Sequence, residues 1–503
     1  MRRSLALALL LASCAGPPVH GPSVATPTPP AAAGADAAGT AVVLLFGGDV
    51  MLGRGVSRLE PSSLFAGLGG VLAEADLAVA NLESPLTLRP HRTGANALEA
   101  DPSAAEVLAE AGFDAMAVAN NHAGDAGPGT VEDSLEALSG AGILAVGAGP
   151  TPAAALAPRV VRVGRVRVAL LAIDATGLGP PPDGTSLGVA RWERALVRAA
   201  VREARAGADV VVVGLHGGAE YVPSTDPGQL RRARLLARWG ADVVWGQGPH
   251  VAQPVRVVDP DGDGRATVVA TSLGNLLFDQ QLPRTRRGAL LEVSVDADGA
   301  LAYRVGTVEH RRGPVVFRGW RAPRGDAVAL GGAWWGLARA VPVVEVERRP
   351  VPEGFDGEVV AAAIGDPDGD GRDELVVAFR RAYRSTEVNA LLPPGSLVDA
   401  LGRTAHVGLY RPSDLAPEWV AGTLLRPVVD LAPCDGVLAV AYSTLAGSRV
   451  VATSAWRWGG FGFLPLPTLP GRGAPACADV DGDGALDALS LERGPEPPLG
   501  RSR

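Results

Sequence analysis

The sequence contains no lysine. All 46 basic residues among its 503 are arginine, and 54 acidic residues outnumber them, which leaves a net charge of −8. A chain whose main partner is nucleic acid carries a basic surplus, so we expect no nucleic-acid partner. Charged residues make up only 20% of the chain and hydrophobic residues 47%, which is enough for substantial cores. The length exceeds one ordinary domain and predicts two folded units plus tails.

A long hydrophobic run is also missing, and cysteine is scarce. The apolar run Leu5–Leu11 is far too short to cross a bilayer as a helix. Of the three cysteines, Cys434 and Cys477 stand late in the chain. In an exported protein these two could form one disulfide. They could equally remain two separate buried thiols, and the sequence leaves both readings open.

The first residues have the features of an export signal. Two arginines precede the apolar run, and a Leu-Ala-Ser-Cys ending follows it. This ending resembles the bacterial lipobox, so we expect residues 1–14 to be a lipoprotein signal peptide with Cys14 as the lipid anchor. The protein would then be exported and membrane-anchored, facing the periplasm or the cell surface; a plain secretory signal is the alternative. Residues 15–40, mostly Pro, Ala, Gly and Thr, are predicted to be a disordered linker.

Residues 41–310 alternate apolar strand-like runs with helical stretches. This alternation predicts an α/β fold with a mostly parallel sheet. Runs such as Val42–Gly47 and Val210–Leu215 are continuously apolar, which indicates a sheet covered on both faces. Helical stretches such as Trp192–Arg205 and Gln229–Trp239 lie between them.

Polar clusters come at the ends of five predicted strands, where an open α/β sheet places its ligands. They combine carboxylates, imidazoles and carboxamides, the groups that bind a divalent transition metal such as Mn, Zn or Fe. Three of the seven histidines of the chain fall within them, which favours one shared site. The clusters are Gly47–Arg54, Asn81–Glu83, Asn120–Gly127, His216–Tyr221 and Gly246–His250.

In this order the clusters resemble the motifs of the bacterial capsule-synthesis (CapA) family. That family is associated with poly-γ-glutamate capsules and has a calcineurin-like metallophosphoesterase fold, an α/β sandwich. The resemblance covers residues 41–310 and implies catalytic roles for His122, Asp125 and Glu220 and a substrate-binding role for Arg54; a salt bridge at a helix start is the alternative for Arg54. The metal ligands or their close neighbours that it implies are Asp49, Glu83, Asn121, His122, His216 and His250.

Two positions depart from the pattern of two-metal phosphoesterases. Met51 stands where those enzymes have a histidine two residues after the first aspartate. Gln247 and Gly248 precede a single histidine, His250, where those enzymes have two. Fewer nitrogen ligands indicate a single metal or a weak second site.

The alternation of strands and helices stops after about residue 310. We expect residues 311–350 to connect to a smaller all-β, propeller-like module over 351–495. Two Asp-x-Asp-Gly-Asp-Gly loops in this module resemble the Ca²⁺ loops of FG-GAP/VCBS repeats, because acidic residues in a Gly-rich turn converge as hard oxygen ligands. Tight turns without metal are the alternative. The predicted ligands are Asp366, Asp368, Asp370 and Glu374 in one loop and Asp479, Asp481, Asp483 and Asp487 in the other.

These features support two hypotheses on function. The first is a surface-anchored, metal-dependent hydrolase of capsule or envelope polymer synthesis, with an anionic polymer and capsule-assembly membrane proteins as partners. The second is a non-catalytic envelope scaffold that binds the polymer and has a degenerate metal site. Fold alone does not decide between them.

Overall fold

The structure is a computed structural model. It describes residues 41–90, 98–261, 265–295, 301–310, 313–321, 326–330, 333–338, 343–344, 346–351, 355–382, 398–399, 401–421, 424, 426–444, 449–460, 462–466, 468–469, 473–480 and 485–492. None of the helices in these ranges has both the length and the apolar character that a bilayer crossing requires.

The first part of the chain supplies most of the helices. The α-helices are α1 Gly69–Ala73, α2 Ala104–Ala111, α3 Thr130–Gly140, α4 Pro152–Ala155, α5 Arg194–Gly207 and α6 Pro227–Trp239, and short 3-10 helices cover Val56–Arg58, Pro61–Ser63 and Pro283–Arg286. The strands of this part are β1 Val42–Val50, β2 Leu77–Leu82, β3 Ala115–Ala117, β4 Leu144–Val146, β5 Ala148–Gly149, β6 Arg159–Val163, β7 Val166–Asp174, β8 Gly188–Val189, β9 Val210–His216, β10 Val243–Gln247, β11 Val255–Val258, β12 Thr267–Ala270, β13 Asn275–Leu277, β14 Arg287–Val295 and β15 Leu301–His310.

The second part is built of strands. They are β16 Val315–Arg321, β17 Ala327–Leu330, β18 Ala333–Leu337, β19 Glu358–Gly365, β20 Glu374–Ala382, β21 Arg403–Tyr410, β22 Pro417–Val420, β23 Val428–Cys434, β24 Val437–Tyr442, β25 Ala452–Trp458, β26 Phe463–Pro465, β27 Ala474–Ala478 and β28 Asp487–Leu491.

Two sheets form the centre of the first part. In the first sheet β4, β3, β2 and β1 are parallel neighbours, and β14 and β15 continue it in antiparallel fashion. The second sheet has the order β11-β12-β10-β9-β7-β6, and its four central strands are parallel. Parallel strands need crossover connections, which the helices of this part provide.

The apolar runs of the sequence reflect burial of both sheet faces. Successive side chains of a strand point to opposite faces. On β7, Leu170 lies in the core between the two sheets, whereas Leu171 packs beneath α5 and α6. The ring centre of Trp245 on β10 lies 5.7 Å from that of Phe46 on β1, and the Nε1–H of Trp245 donates to the carbonyl of Gly47 at 2.7 Å. The result is a sandwich of two sheets with helices on the outer faces.

Helix α6 begins and ends at residues that specify a helix boundary. The Asp226 side chain accepts a hydrogen bond from the backbone N–H of Gln229 at 2.8 Å, and Pro227 occupies the first position. Gly240 ends the helix in a left-handed conformation, with φ of 116°. Between these ends Leu236 and Trp239 are buried against the second sheet, so the helix fixes the strands that flank it.

The second part is joined to the first by continuous pairing. Strands β16, β17 and β18 fall within 311–350; β16 and β18 pair with β15, and β17 pairs with β28. The first sheet therefore has 12 strands and includes the last strand described. Strands β19–β22 and β23–β26 form two further four-stranded antiparallel sheets. The predicted fold class, an α/β domain followed by a β part, is confirmed, whereas the domain boundaries and the FG-GAP resemblance stay predictions.

A disulfide links two of the C-terminal strands. Cys434 at the end of β23 and Cys477 on β27 are bonded, with their Cα atoms 5.6 Å apart. The sequence left open whether these cysteines form a disulfide or remain two separate thiols, and in the structure they form a disulfide.

Candidate metal centre

The candidate metal centre lies where parallel strands end. Asp49 is the penultimate residue of β1, and in the strand register it stands opposite Asn81 of β2. In the second sheet, His216 ends β9 and stands opposite Gln247 of β10. Because the carboxyl ends of parallel strands gather at one edge of a sheet, these polar residues meet there.

Two carboxylates, Asp49 and Glu83, are buried together at this edge, with relative exposures of 0% and 1%. Asp49 accepts hydrogen bonds from the Asn81 side chain at 2.8 Å and from the Gly248 backbone at 3.2 Å. The two oxygens of Glu83 meet no hydrogen-bond donor among the described residues. Burial and the adjacent Asp49 raise the pKa of Glu83 well above its ordinary value. Such a carboxylate is costly unless a positive charge compensates it.

His250 lies between the two carboxylates. Its Nδ1 is 3.3 Å from Asp49 Oδ2, and its Nε2 is 3.6 Å from Glu83 Oε1. Nδ1 also lies 2.9 Å from Asn275 Oδ1, which accepts a hydrogen bond from Nδ1–H and so directs Nε2 at Glu83. Burial lowers the pKa of His250, but Glu83 and Asp49 outweigh it and raise that pKa to about 10. The residue has a φ of 58°, which is uncommon outside glycine and is maintained by these contacts.

His122 approaches the same carboxylate from another loop. Its Nδ1 lies 2.9 Å from Asp125 Oδ2, and its Nε2 lies 3.9 Å from Glu83 Oε1. A carboxylate that accepts the Nδ1 proton leaves the Nε2 lone pair facing the cluster. The side chain of His122 is 21% exposed, so it is open to solvent, unlike the nearly buried His250.

His216 is held by two amides. Its Nε2 is 2.8 Å from Asn121 Oδ1, and its Nδ1 is 3.3 Å from Asn81 Nδ2 and 4.0 Å from Asp49 Oδ1. Burial lowers its pKa to about 4, so the ring is neutral. The network assigns the proton to Nε2 and the lone pair to Nδ1. In this arrangement both ring nitrogens of His216 are hydrogen-bonded, one to Asn121 and the other to Asn81. His216 thus orients the cluster from one side.

The residues fit a divalent cation. Asp49, Glu83 and His250 each offer one ligand atom, and these atoms lie within 4.8 Å of one another. Carboxylate oxygen and imidazole nitrogen are ligands that Mn, Zn and Fe share. The specific sign is that no described residue donates to the oxygens of Glu83, because a cation placed there would compensate their charge. The cluster is therefore a candidate site for a divalent metal.

The two departures noted in the sequence are visible at the site. Met51 is fully buried, with a relative exposure of 0%, and offers no nitrogen. Gln247 donates its side-chain N–H to the carbonyl of Trp245 at 3.0 Å, within its own strand. Both positions therefore add packing and not imidazole ligands.

The remaining predicted site residues lie around the cluster. Arg54 forms a salt bridge with Asp279, and its guanidinium lies 5.6 Å from the ring centre of Phe278. Glu220 is exposed beside Tyr221, whose ring lies 5.8 Å from that of His250. Arg54 is thus paired within the protein, as in the salt-bridge alternative, and Glu220 belongs to the rim.

Three asparagines shape the site without being predicted as site residues. Asn81 forms hydrogen bonds with Asp49 and His216, and Asn275 forms one with His250. Asn120 donates to the Leu82 carbonyl at 2.8 Å and accepts the backbone N–H of His122 at 3.0 Å. Asn81 and Asn120 stand inside two of the polar clusters, and this position in the sequence was the available signal for them. Their contacts cross between strands, which a linear pattern does not reveal.

A second acidic cluster lies in the C-terminal part, between β19 and β20. Asp366 accepts backbone N–H bonds from Gly369 and Gly371 at 2.7 and 2.8 Å. Glu374 is 3% exposed, and its Oε2 meets no donor among the described residues. Burial, then Asp368, Asp370 and Asp366, raise its pKa to about 8. Of the second predicted loop, Asp481 and Asp483 lie outside the described residues, as does Cys14.

Fold and cluster together define a class of protein: an α/β sandwich with a candidate divalent-metal site at its strand ends. Residues 43–280 match the family model described as "Bacterial capsule synthesis protein PGA_cap". "PGA biosynthesis protein CapA" of Bacillus subtilis is 30% identical over 273 residues, which cover 52% of this chain and 70% of that protein. The chain belongs to this family of bacterial capsule synthesis proteins, which confirms the resemblance stated from its motifs.

Two further relatives match the same part of the chain. "Capsule biosynthesis protein CapA" of Bacillus anthracis is 29% identical over 266 residues, covering 50% of this chain and 63% of that protein. A "Probable polyglutamine synthesis accessory protein" of Mycobacterium tuberculosis is 28% identical over 273 residues, covering 43% of this chain and 70% of that protein.

Proposed function

We propose that this protein is a metal-dependent hydrolase that acts on a capsule or envelope polymer of the poly-γ-glutamate type. The observation that carries the proposal is the buried carboxylate pair Asp49 and Glu83. Among the described residues Glu83 meets no hydrogen-bond donor, His122 and His250 lie near Glu83, and His216 lies near Asp49. The polymer class comes from the relatives, whose names refer to PGA, capsule and polyglutamine synthesis.

Each residue of the cluster has a distinct task in this proposal. Asp49, Glu83 and His250 would hold the ion, which when bound polarises a phosphoryl or carbonyl oxygen and acidifies a water. Asp125 fixes the tautomer of His122, so that Nε2 of His122 can accept or deliver a proton at the reacting group. The partial exposure of His122 gives substrate access to that nitrogen.

Turnover of the full chain tests the proposal. The purified protein is assayed with a phosphodiester and with γ-linked oligoglutamate, in EDTA and then with Mn²⁺ or Zn²⁺. We expect metal-dependent turnover that His122→Ala lowers by about 10²-fold or more, as for a lost general acid or base. His406→Gln, a buried histidine of β21, is the matched control and should keep turnover. Absence of turnover in metal-loaded protein would remove the enzyme hypothesis.

A non-catalytic scaffold is the second candidate. Met51 and Gln247 favour it, since one is apolar and the other is bonded to its own strand. In that case the cluster would bind a metal only for stability, and the polymer would be bound and released unchanged. Unaltered oligoglutamate after incubation with metal-loaded protein, together with measurable binding, would support this candidate.

We also propose Ca²⁺ as the ligand of the acidic cluster in the C-terminal part. Asp366, Asp368 and Glu374 offer oxygens that lie within 4.8 Å of one another, and one buried oxygen of Glu374 meets no donor in the part of the chain that the structure describes. Hard oxygen ligands of this kind suit Ca²⁺. Ca²⁺ titration followed by calorimetry tests it, with Glu374→Gln expected to lose the signal.

The proposed place of action is the envelope. The export signal and Cys14 lie outside the described residues, so this proposal depends on the Leu-Ala-Ser-Cys ending. Capsule-assembly membrane proteins are the proposed partners. A Cys14→Ser variant should appear in the soluble fraction, whereas unchanged membrane association would contradict the lipid anchor.

A further inference from the structure

A cavity of about 410 Å³ lies between the two loops that follow β9 and β10 and the strands β14 to β16. Pro223 and Gln253 line it from the loops, and Tyr303, Arg304 and Arg321 line it from the strands. Its size falls within the range of small-molecule sites. It combines apolar walls with two guanidinium groups.

The cavity shares both loops with the candidate metal centre. On the loop after β9, the ring of Tyr221 lies 5.8 Å from that of His250, and Pro223, two residues further on, lines the cavity. On the loop after β10, His250 contacts Asp49, and Gln253 lines the cavity. Gln253 also donates to the carbonyl of Val222 at 2.9 Å, so it ties the two loops together. The same two loops therefore contribute residues to both the metal centre and the cavity.

Arg304 presents a fixed guanidinium to the cavity. The ring centres of Trp320 and Trp335 lie 4.0 and 4.4 Å from its guanidinium carbon, and its Nη2 lies 2.6 Å from Oε1 of the buried Glu292. Stacking on aromatic rings orients the guanidinium plane and leaves its edge for hydrogen bonds. Glu292 accepts hydrogen bonds from only some of the five N–H groups of Arg304.

Arg321 supplies the second guanidinium. It stands opposite Val305 in the pairing of β15 and β16, and its Nε donates to Thr307 Oγ1 at 2.7 Å. Among the described residues it has no carboxylate within salt-bridge distance. Because Arg304 is neutralised by Glu292 and Arg321 has no such partner among the described residues, the described lining of the cavity has a surplus of positive charge.

We propose that this cavity is a binding subsite for a carboxylate of an anionic polymer, with Arg321 and the edge of Arg304 as its anion-binding groups. The inference rests on the proposed function for the identity of the polymer. The apolar walls suit the methylene groups between carboxylates, and a guanidinium matches a carboxylate in a bidentate fork. The subsite would hold the polymer beside the metal centre while one link lies at the cluster.

Calorimetry with the full chain in EDTA tests the subsite without any turnover. The probe is γ-linked tetraglutamate, and its comparison is the same γ-linked tetramer with every free carboxylate converted to a neutral carboxamide. Arg321→Gln should weaken tetraglutamate binding by about tenfold or more, the loss expected for one charge-assisted pair. Arg318→Gln is the matched control, because Arg318 is on the same strand but pairs with Glu309 at 3.1 Å. It should bind as the unmodified chain does.

Two outcomes would overturn the proposal. One is equal affinity of Arg321→Gln and the unmodified chain for tetraglutamate; the other is equal affinity of the unmodified chain for the neutral analogue. Arg321 is exposed, so its replacement leaves the fold intact, which thermal unfolding verifies. If Arg321-dependent binding is found and metal-dependent turnover is absent, the proposed hydrolase fails and the subsite stands. If turnover is found and binding does not depend on Arg321, only the subsite fails.

Discussion

Replacing Glu83 by Gln should have opposite effects on stability without and with metal. The carboxylate is 1% exposed and meets no donor among the described residues. Gln keeps the shape and removes the negative charge, and its amide can donate to Asp49. Without metal, the Glu83→Gln protein should therefore be the more stable of the two.

The magnitudes follow from the two states of the site. An unsatisfied buried polar group costs about 1–3 kcal/mol, which is the gain expected for Glu83→Gln in EDTA. A metal at a free concentration of 100 times its Kd stabilises the unmodified chain by about 2.7 kcal/mol. The Glu83→Gln variant lacks one anionic ligand, so the metal should increase its stability much less. The order of stability is thus expected to reverse when metal is added.

Chemical denaturation in EDTA and in Mn²⁺ measures both effects. Glu292→Gln is the matched control, because Glu292 is equally buried, at 2% exposure, but pairs with Arg304. That replacement breaks a buried ion pair and should destabilise the protein in both conditions. If Glu83→Gln is the less stable protein in EDTA, or gains as much stability from Mn²⁺ as the unmodified chain, the reasoning from the missing hydrogen-bond donors of Glu83 is refuted.

Three further predictions concern other parts of the molecule. Burial lowers the pKa of His310 from 6.5 to about 4, so its contribution to stability is complete above pH 6.5 and is lost as the pH falls through 4. From pH 7 to pH 5 this group should lower the free energy of unfolding of the unmodified chain by about 2 kcal/mol. If urea denaturation shows the same dependence of this free energy on pH for a His310→Gln protein, the prediction is contradicted. Cys434 and Cys477 close a loop with a sequence separation of 43, so replacing both with Ala should destabilise the C-terminal part by about 4 kcal/mol. An unchanged denaturation midpoint would rule this out. Ca²⁺ should raise the melting temperature of the unmodified chain but not of Glu374→Gln, and equal shifts in scanning calorimetry would remove the proposed Ca²⁺ site.

The local elements of the fold could be predicted from the sequence. The apolar run that begins at Val42 is a strand buried on both faces, and its burial by two layers accounts for the lack of polar alternation. Helix α6 could be delimited because Asp226 and Gly240 act through neighbours only a few residues away. These signals depend on local chemistry, which the sequence displays directly.

Long-range pairing could not be predicted. The pairing of β17 with β28 joins residues more than 150 positions apart, as in Ala327 opposite Ser490. Nothing in the pattern of 311–350 distinguishes strands that extend the first sheet from a connecting segment. Whether a strand joins the first sheet depends on which edge of that sheet is free, and the free edge is a property of the folded protein.

At the candidate site, too, some features could be predicted from the sequence and others could not. The motifs placed Asp49, Glu83 and His250 at strand ends, and strand topology alone makes such ends converge. The pairing of Arg54 with Asp279 spans 225 positions and is set by the loop after β13. Partners at such distances are decided by tertiary packing, so the linear pattern does not reveal Asp279 as the partner of Arg54.

Titration of the full chain with Mn²⁺ tests the central claim most directly. With Ca²⁺ present in excess to fill the C-terminal cluster, calorimetry should detect about one Mn²⁺ per chain, bound by mixed carboxylate and imidazole ligands. Asp49→Asn and His250→Ala should each abolish that binding, while His406→Gln keeps it. Absence of Mn²⁺ and Zn²⁺ binding by the unmodified chain, or binding that survives both replacements, would contradict a metal centre formed by Asp49, Glu83 and His250.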